Sequence, residues 1–181
     1  MSDPVVVVPY DPEWPHLFAE LGVQLRSVLG SVALRIDHIG STAIAGMVAK
    51  PIVDVQVSVA GFEPLDAFRL PLAELGFVHR ASNPDLSKRY FREAPGTRRT
   101  HIHVRVSGDW SEQFALLFRD YLRTHEAEAT WFGGIKQQLA EQFANDRQGY
   151  TDAKSWYLWE IMKKADVWHQ ETGHTVGPSD A

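Results

Sequence analysis

The chain has 181 residues, 44% of them hydrophobic, so it can bury one sizeable core, and its length suits one domain better than two. A net charge of -5 excludes a general nucleic-acid coat, because such binding needs a basic surface that displaces counterions from phosphates. No cysteine is present, so there is neither a disulfide nor a thiolate metal site, and any metal must rest on His, carboxylate or phosphate. The run PVVVVPY (residues 4–10) is too short to cross a bilayer, has no basic flank before it and is closed by Pro4 and Pro9. These features together predict a cytoplasmic protein without a membrane span or signal peptide.

In chain order, DPEWPHLFAELGVQLRSVLG places Asp11 as an N-cap and Pro12 at the first helical position, then repeats Phe18, Leu21, Leu25 and Val28 until Gly30. That spacing predicts an amphipathic helix. SVALRIDHIG alternates Val32, Leu34 and Ile36 against Ala33, Arg35 and Asp37, as a half-buried strand does. PIVDVQVSVAG alternates too. Its β-branched residues favour a second strand with Asp54, Gln56 and Ser58 on one face and Val53, Val55, Val57 and Val59 on the other. A short helix is expected around residues 65–75, interrupted by Pro71. KRYFREAPGTRRTHIHVRV holds two strand-forming runs around Pro95-Gly96, a hairpin with a loop longer than two residues. Its second strand puts His101, His103 and Arg105 on one face.

The remainder reads as helical. Asp109 with Glu112 resembles a capping pair ahead of the stripe Phe114, Leu117, Phe118, Tyr121 and Leu122. Trp131, Ile135 and Leu139 mark another helix, weakened by Gly133-Gly134, and residues 156–168 a last one opened by Thr151 or Asp152. Trp110, Trp131, Trp156, Trp159 and Trp168 fall at helical spacing, which favours core packing over base stacking; Tyr90 and Phe91 are the better stacking candidates. Residues 171–181 have no periodicity and are expected to form a mobile tail, leaving residues 1–170 as a single domain. A mixed sheet with helices mostly after it gives an α+β fold.

The chemistry concentrates around HIGSTAIAG. A P-loop needs Gly, four residues, Gly, then Lys-Ser/Thr, whereas Gly40 to Gly46 encloses five residues and Met47 follows. The glycine spacing of a dinucleotide fingerprint is absent as well. What remains is a strand ending in Gly-Ser and, thirteen positions after Ser41, an inward acid on a second strand. Taken alone, Gly-Ser-Thr also reads as a plain turn and Asp54 as an acid paired with Arg or Lys. His101 and His103 suit either a metal pair or hydrogen bonds to neighbours, and His38 reads as structural. Lys88, Arg89, Arg92, Arg98, Arg99 and Arg105, interrupted by Glu93, suit a solvated hairpin rim or phosphate capture equally.

This pattern resembles the nucleotidyltransferase superfamily, in which a Gly-Ser turn holds the triphosphate and a neighbouring strand presents acid-x-acid to divalent metal ions. More closely, the chain is similar to the GrpB family of nucleotidyltransferase-like proteins. The similarity runs from YDPEWPHLF through IDHIGSTAIAGMVAKPIVDV, RRTHIHV and LLFRDYLRTH to YTDAKSWYLWEI, nearly the whole chain. It implies a nucleotidyltransferase-like mixed sheet with flanking helices and a helical C-terminal part.

The resemblance also implies site roles. Gly40, Ser41 and Thr42 would form an anion nest, with Lys50, Arg89, Arg98 and Arg99 reaching phosphate, and Asp54 and Gln56 would stand at the catalytic acid-x-acid positions. Asp54 would hold a divalent cation, Mg2+ or Mn2+. Gln56 departs from the pattern, since an amide oxygen brings no negative charge, and where the superfamily takes a third acid this chain offers His101 and His103. An Asp-plus-His metal set suits manganese, iron or zinc better than magnesium. Relatives fused to an enzyme of coenzyme A synthesis point towards nucleotide-related metabolism.

The expected ligand is therefore a nucleotide or other phosphate-containing small molecule. Three activities fit: nucleotidyl transfer to an acceptor the sequence does not name, a catalytically quiet nucleotide- or phosphate-binding module, and a metal-dependent phosphohydrolase using Asp54, His101 and His103. Because Asp54 and His101 both face inward from β-rich segments, the two segments are expected to be neighbours in one sheet, with Gly40-Ser41 at its edge.

Overall fold

The computed structural model describes residues 4–181. Five strands, β1 (Arg35–Ile39), β2 (Val53–Val59), β3 (Phe77–His79), β4 (Arg89–Glu93) and β5 (Thr100–Val106), form one mixed sheet in the order β1-β2-β5-β4-β3. β2 and β5 are parallel and the other pairs antiparallel. Five helices accompany them: α1 (Glu13–Leu29), α2 (Asp66–Glu74), α3 (Trp110–Thr124), α4 (Glu126–Gln142) and α5 (Arg147–Thr172).

The valine alternation of β2 sets the core. Val53, Val55, Val57 and Val59 are buried against Phe18 and Leu25 of α1 and Phe68 and Leu72 of α2, each worth about 1.5–3 kcal/mol relative to exposure. The opposite face of β2 is polar, yet Gln56 and Ser58 are also buried. There α3 lies across the sheet, and Gln56 Nε2 donates to Glu112 O at 3.4 Å. A second cluster, with Phe118, Leu122, Phe132 and Ile161, joins α3, α4 and α5 to Ile44 and Met47 of the loop after β1.

Several expectations need correcting. α1 begins at Glu13, so Pro12 stands just outside it, but Asp11 Oδ1 still accepts from Glu13 N at 2.9 Å. β1 is not half-buried: Leu34 lies before it and is exposed, while Asp37 and His38 are buried, because α1 covers one face and α3 the other. α2 runs on through Pro71. The three-residue strand β3 has no periodicity long enough to signal it and is held by pairing with β4. Glu112 Oε2 caps by accepting from Gly108 N, not from Asp109 N, and α5 opens at Arg147, where Asp146 accepts from Gly149 N at 2.9 Å. Gly133-Gly134 does not break α4; a Cβ at Gly133 would sit 3.3 Å from Val48 Cγ2, so the glycine lets α4 approach that loop.

Helical spacing favours a core role for these five tryptophans, but Trp110, Trp131, Trp156 and Trp159 are exposed, and of the five only Trp168 packs partly into the helical cluster. Smaller residues face inward: Ala129, Phe132 and Gly133 on α4, and Ile161 and Ala165 on α5. Trp110 and Trp159 stack on each other, ring centroids 5.9 Å apart.

The aperiodic tail is anchored. After α5, Ala181 N donates to Ile36 O, Ser179 Oγ accepts from Ile36 N, and Asp180 Oδ2 accepts from His38 N, so residues 179–181 line the open edge of β1. A Cβ at Gly22 would fall 2.6 Å from Ala181 Cβ, which explains a glycine in the middle of α1. These contacts come from backbone edges and single polar groups, which leave no periodic signal in a sequence.

Candidate functional site

The parallel pairing of β2 and β5 places Asp54 opposite His101 and Gln56 opposite His103, all on the polar face. Asp54 Oδ1 accepts from His103 Nε2 at 3.0 Å and lies 3.2 Å from His101 Nδ1. The convergence expected from the two strand patterns is therefore present. Burial pushes the Asp54 carboxyl up, but the hydrogen bonds from the two imidazoles outweigh it and hold the group well below the usual carboxylate range. Burial pushes His103 down to about 4, partly countered by Asp54, so at neutral pH it is the uncharged imidazole that ligates metals. Tyr90 packs its ring 5.3 Å from both imidazoles.

The potential ligand atoms of Asp54, His101 and His103 all lie within 4.8 Å of one another. The remaining imidazole nitrogens, His101 Nε2 and His103 Nδ1, are buried without a partner. One carboxylate and two imidazoles fit a single manganese, iron or zinc ion; they do not fit a pair of magnesium ions, which take oxygen ligands.

This cluster lines a cavity of about 400 Å³ that also receives Ser41, Thr42, Lys50, Lys88, Tyr90, Lys136, Arg147, Tyr150 and Lys154. Gly40 has a second task beside the turn. At φ 70 its missing Cβ would stand 3.0 Å from Asp54 Oδ2 and 3.3 Å from Asp54 Cβ, so the glycine makes room for the acid. We expect Gly40→Ala to cost about 1–3 kcal/mol through the left-handed backbone alone and to displace Asp54 further. A urea melt and a metal titration check this; a variant matching the parent in both would remove Gly40 from the site.

Of the phosphate candidates, Ser41 reaches the cavity and Thr42 is committed elsewhere, its hydroxyl 3.0 Å from His38 Nε2 and donating to Ile52 O at 3.3 Å. His38 itself is buried and stacks on Phe18. Lys50 lies 3.9 Å over the Tyr150 ring, and burial, with the charges of Lys154 and Arg147, pushes it down to about 8. The hairpin arginines do not meet here: Arg89 packs over the Phe62 ring, Arg98 is exposed, and Arg99 pairs with Glu93 at 3.0 Å. Gln56 lies under α3, where its Oε1 accepts from Arg105 Nη1 at 2.6 Å, so its amide oxygen is already engaged. Phe91 is wholly buried in the main core, which leaves Tyr90 as the one of the two hairpin rings that reaches the cavity.

Besides Lys50 and Lys88, the basic lining comes from helices remote in sequence. Arg147, Tyr150, Thr151 and Lys154 follow the i, i+3, i+4, i+7 rule, so one face of the first turns of α5 looks into the cavity. That polar stripe was visible in RQGYTDAK, but nothing in the sequence says what it faces. Lys136, on α4, carries no such signal.

A mixed sheet with a Gly-Ser turn and an acid on the adjacent strand defines a nucleotidyltransferase-like fold. The Cid1 poly(U) polymerase structure shares that fold, with a TM-score of 0.52 at 14% identity over 81% of this chain and 49% of that one. The chain belongs to the GrpB family, whose description, GrpB protein, it matches over residues 4–164. It is 34% identical to UPF0157 protein BH1888 of Halalkalibacterium halodurans, over 90% of this chain and 83% of that protein. The crystal structure of conserved protein GrpB from Enterococcus faecalis superposes with a TM-score of 0.81 at 31% identity, covering 90% of this chain and 99% of that one. The chain spans about half of some longer relatives, among them a protein named dephospho-CoA kinase in Mycolicibacterium paratuberculosis, 29% identical over 94% of this chain and 48% of that protein. No helix among the described residues is long and apolar enough to cross a membrane.

Proposed function

We propose that the cavity binds a nucleoside triphosphate or a related phosphate ester together with one divalent cation held by Asp54, His101 and His103. The observation that carries this reading is the charge pattern. Among the described residues a single acid, flanked by two imidazoles, lies in a cavity whose other charged lining includes Lys50, Lys88, Arg147 and Lys154, so a polyanion with a bound cation complements it and a cationic ligand does not. The cation would offset phosphate charge and polarise a phosphoryl oxygen. Ser41 and the basic side chains would orient the phosphates, and Tyr90 and Tyr150 would supply ring faces to a sugar or base.

Nucleotidyl transfer is the chemistry the fold suggests. A second reading, binding without turnover, is favoured by Gln56: its oxygen is held by Arg105, so a second carboxylate-like ligand is missing where a two-metal reaction needs one. Calorimetric titration of a nucleotide panel with and without Mn2+, followed by a search for labelled-phosphate products, tests both. Metal-dependent triphosphate binding with released pyrophosphate supports transfer, and binding without product supports the second reading. Absence of binding by any nucleotide with Mn2+, Mg2+ or Zn2+ would defeat both.

A further inference from the structure

Ser41 and Lys136 form a pair that the metal cluster does not use. Lys136 is 3% exposed; its Nζ donates to Val48 O and lies 2.8 Å from Ser41 Oγ. Among the described residues it has no carboxylate within ion-pair distance, unlike Lys88, which pairs with Asp85. Burying an ammonium without a counter-charge is costly. Burial, helped by the charge of Lys154, accordingly drives the Lys136 amine well below the ordinary lysine range. A neutral amine keeps a lone pair. With one N–H given to Val48 O, that lone pair can accept the Ser41 hydroxyl proton. A hydroxyl, a base in hydrogen-bond reach and a third group that orients the base are what activates a serine. Gly40 and the single 3-10 turn Ser41–Ala43 fix this hydroxyl at the wall of the cavity.

We propose that Ser41 is a nucleophile, with Lys136 as its base, that accepts a phosphoryl or nucleotidyl group from the phosphate compound in the cavity. The substrate class rests on the phosphate-binding reading above; the activated serine does not. In the step, Ser41 Oγ forms a bond to phosphorus as the bond from that phosphorus to its leaving oxygen breaks. Attack at the α-phosphorus of a nucleoside triphosphate releases pyrophosphate, and attack at the γ-phosphorus releases the nucleoside diphosphate. The hydroxyl proton passes to Lys136 Nζ, and the ammonium formed is the counterion of the new phosphoserine ester.

A fluorophosphonate probe tests the nucleophile without nucleotide or metal: Ser41 Oγ bonds to phosphorus, fluoride leaves, and the proton again goes to Lys136. Peptide mass mapping should find the adduct on Ser41, formed faster as pH rises, with a midpoint below the ordinary lysine value of about 10.4. Lys154 and Arg147 of α5, Lys50 ahead of β2, Lys88 ahead of β4, and Asp54, His101 and His103 line the same cavity as this amine, and of these Lys154 acts with burial to lower the midpoint. Labelling should be about a hundredfold slower in Lys136→Met and in Lys136→Arg, each confirmed folded by near-ultraviolet circular dichroism. No Ser41 adduct on the folded parent between about pH 6 and about pH 10 overturns the nucleophile, and equal rates in both lysine variants overturn the base. Incubation with ATP and Mn2+ should add phosphoryl or adenylyl mass to the Ser41 peptide, the mass showing which phosphorus is attacked. A protein that binds ATP by calorimetry but gains neither mass overturns the proposal and leaves the phosphate-binding reading standing.

Discussion

Asp54→Asn should abolish the metal-dependent part of nucleotide binding. Among the described residues Asp54 is the only carboxylate in the cavity lining, and both imidazoles of the cluster are oriented on its Oδ1. A ligand at a hundred times its Kd adds about 2.7 kcal/mol to folding stability, which for a chain of this length is a rise in melting temperature of about 5–11 °C. The parent should show that rise with Mn2+ and a nucleoside triphosphate, and Asp54→Asn should lose it, because an amide brings no charge and one acceptor oxygen instead of two. Gln56→Asp is the companion variant. A carboxylate at that position meets the Arg105 guanidinium before it meets a cation, so the shift should stay at the parental value. An undiminished shift in Asp54→Asn would place the cation elsewhere, and an enlarged shift in Gln56→Asp would show that Arg105 yields the side chain to the metal.

Arg119→Met should lower stability by about 1.5–3 kcal/mol, the usual worth of charge-assisted hydrogen bonds to partly buried acids. Arg119, on α3, is 2% exposed and joins three acids from separate parts of the chain: Asp180 Oδ2 at 2.9 Å, Asp120 Oδ1 at 2.7 Å and Asp37 Oδ1 at 3.3 Å. Methionine fills a similar volume but leaves Asp120 and Asp180 without that cation, while Asp37 keeps Arg35 at 2.8 Å. At roughly 2–4 °C per kcal/mol, the melting temperature should fall by about 3–12 °C. The variant should also release the tail from the edge of β1, read as faster amide exchange at Ala181. Adding Asp180→Asn to Arg119→Met should cost less than the sum of the two, because the pair shares one interaction. A fall under about 2 °C, or strict additivity, would make this network a surface feature with no hold on the tail.

Local pattern was enough to reveal the parts that depend on one element at a time. The Phe18, Leu21, Leu25, Val28 stripe gave α1, and the valine alternation gave β2 with Asp54 on the face away from the core, because side-chain direction in a helix or strand follows from backbone period alone. The same period put His101 and His103 on one face of β5, and the adjacency of β2 and β5 then brought together three potential ligand residues separated by up to 49 positions.

What no local pattern carried was which surfaces meet. Whether a basic side chain reaches the cavity depends on how helices dock, so the sequence pointed to Arg89, Arg98 and Arg99 and gave no reason to single out Arg147 and Lys154, which packing brings to its wall. The exposed tryptophans, the tail against β1 and the burial of Gln56 share that cause. The sequence by itself determined the family, the strand that bears the acid and the glycine beside it. The tertiary structure decided the rest of the cavity wall, because the docking of α4 and α5 is set by complementarity among many side chains at once, and no single stretch of the chain holds that information.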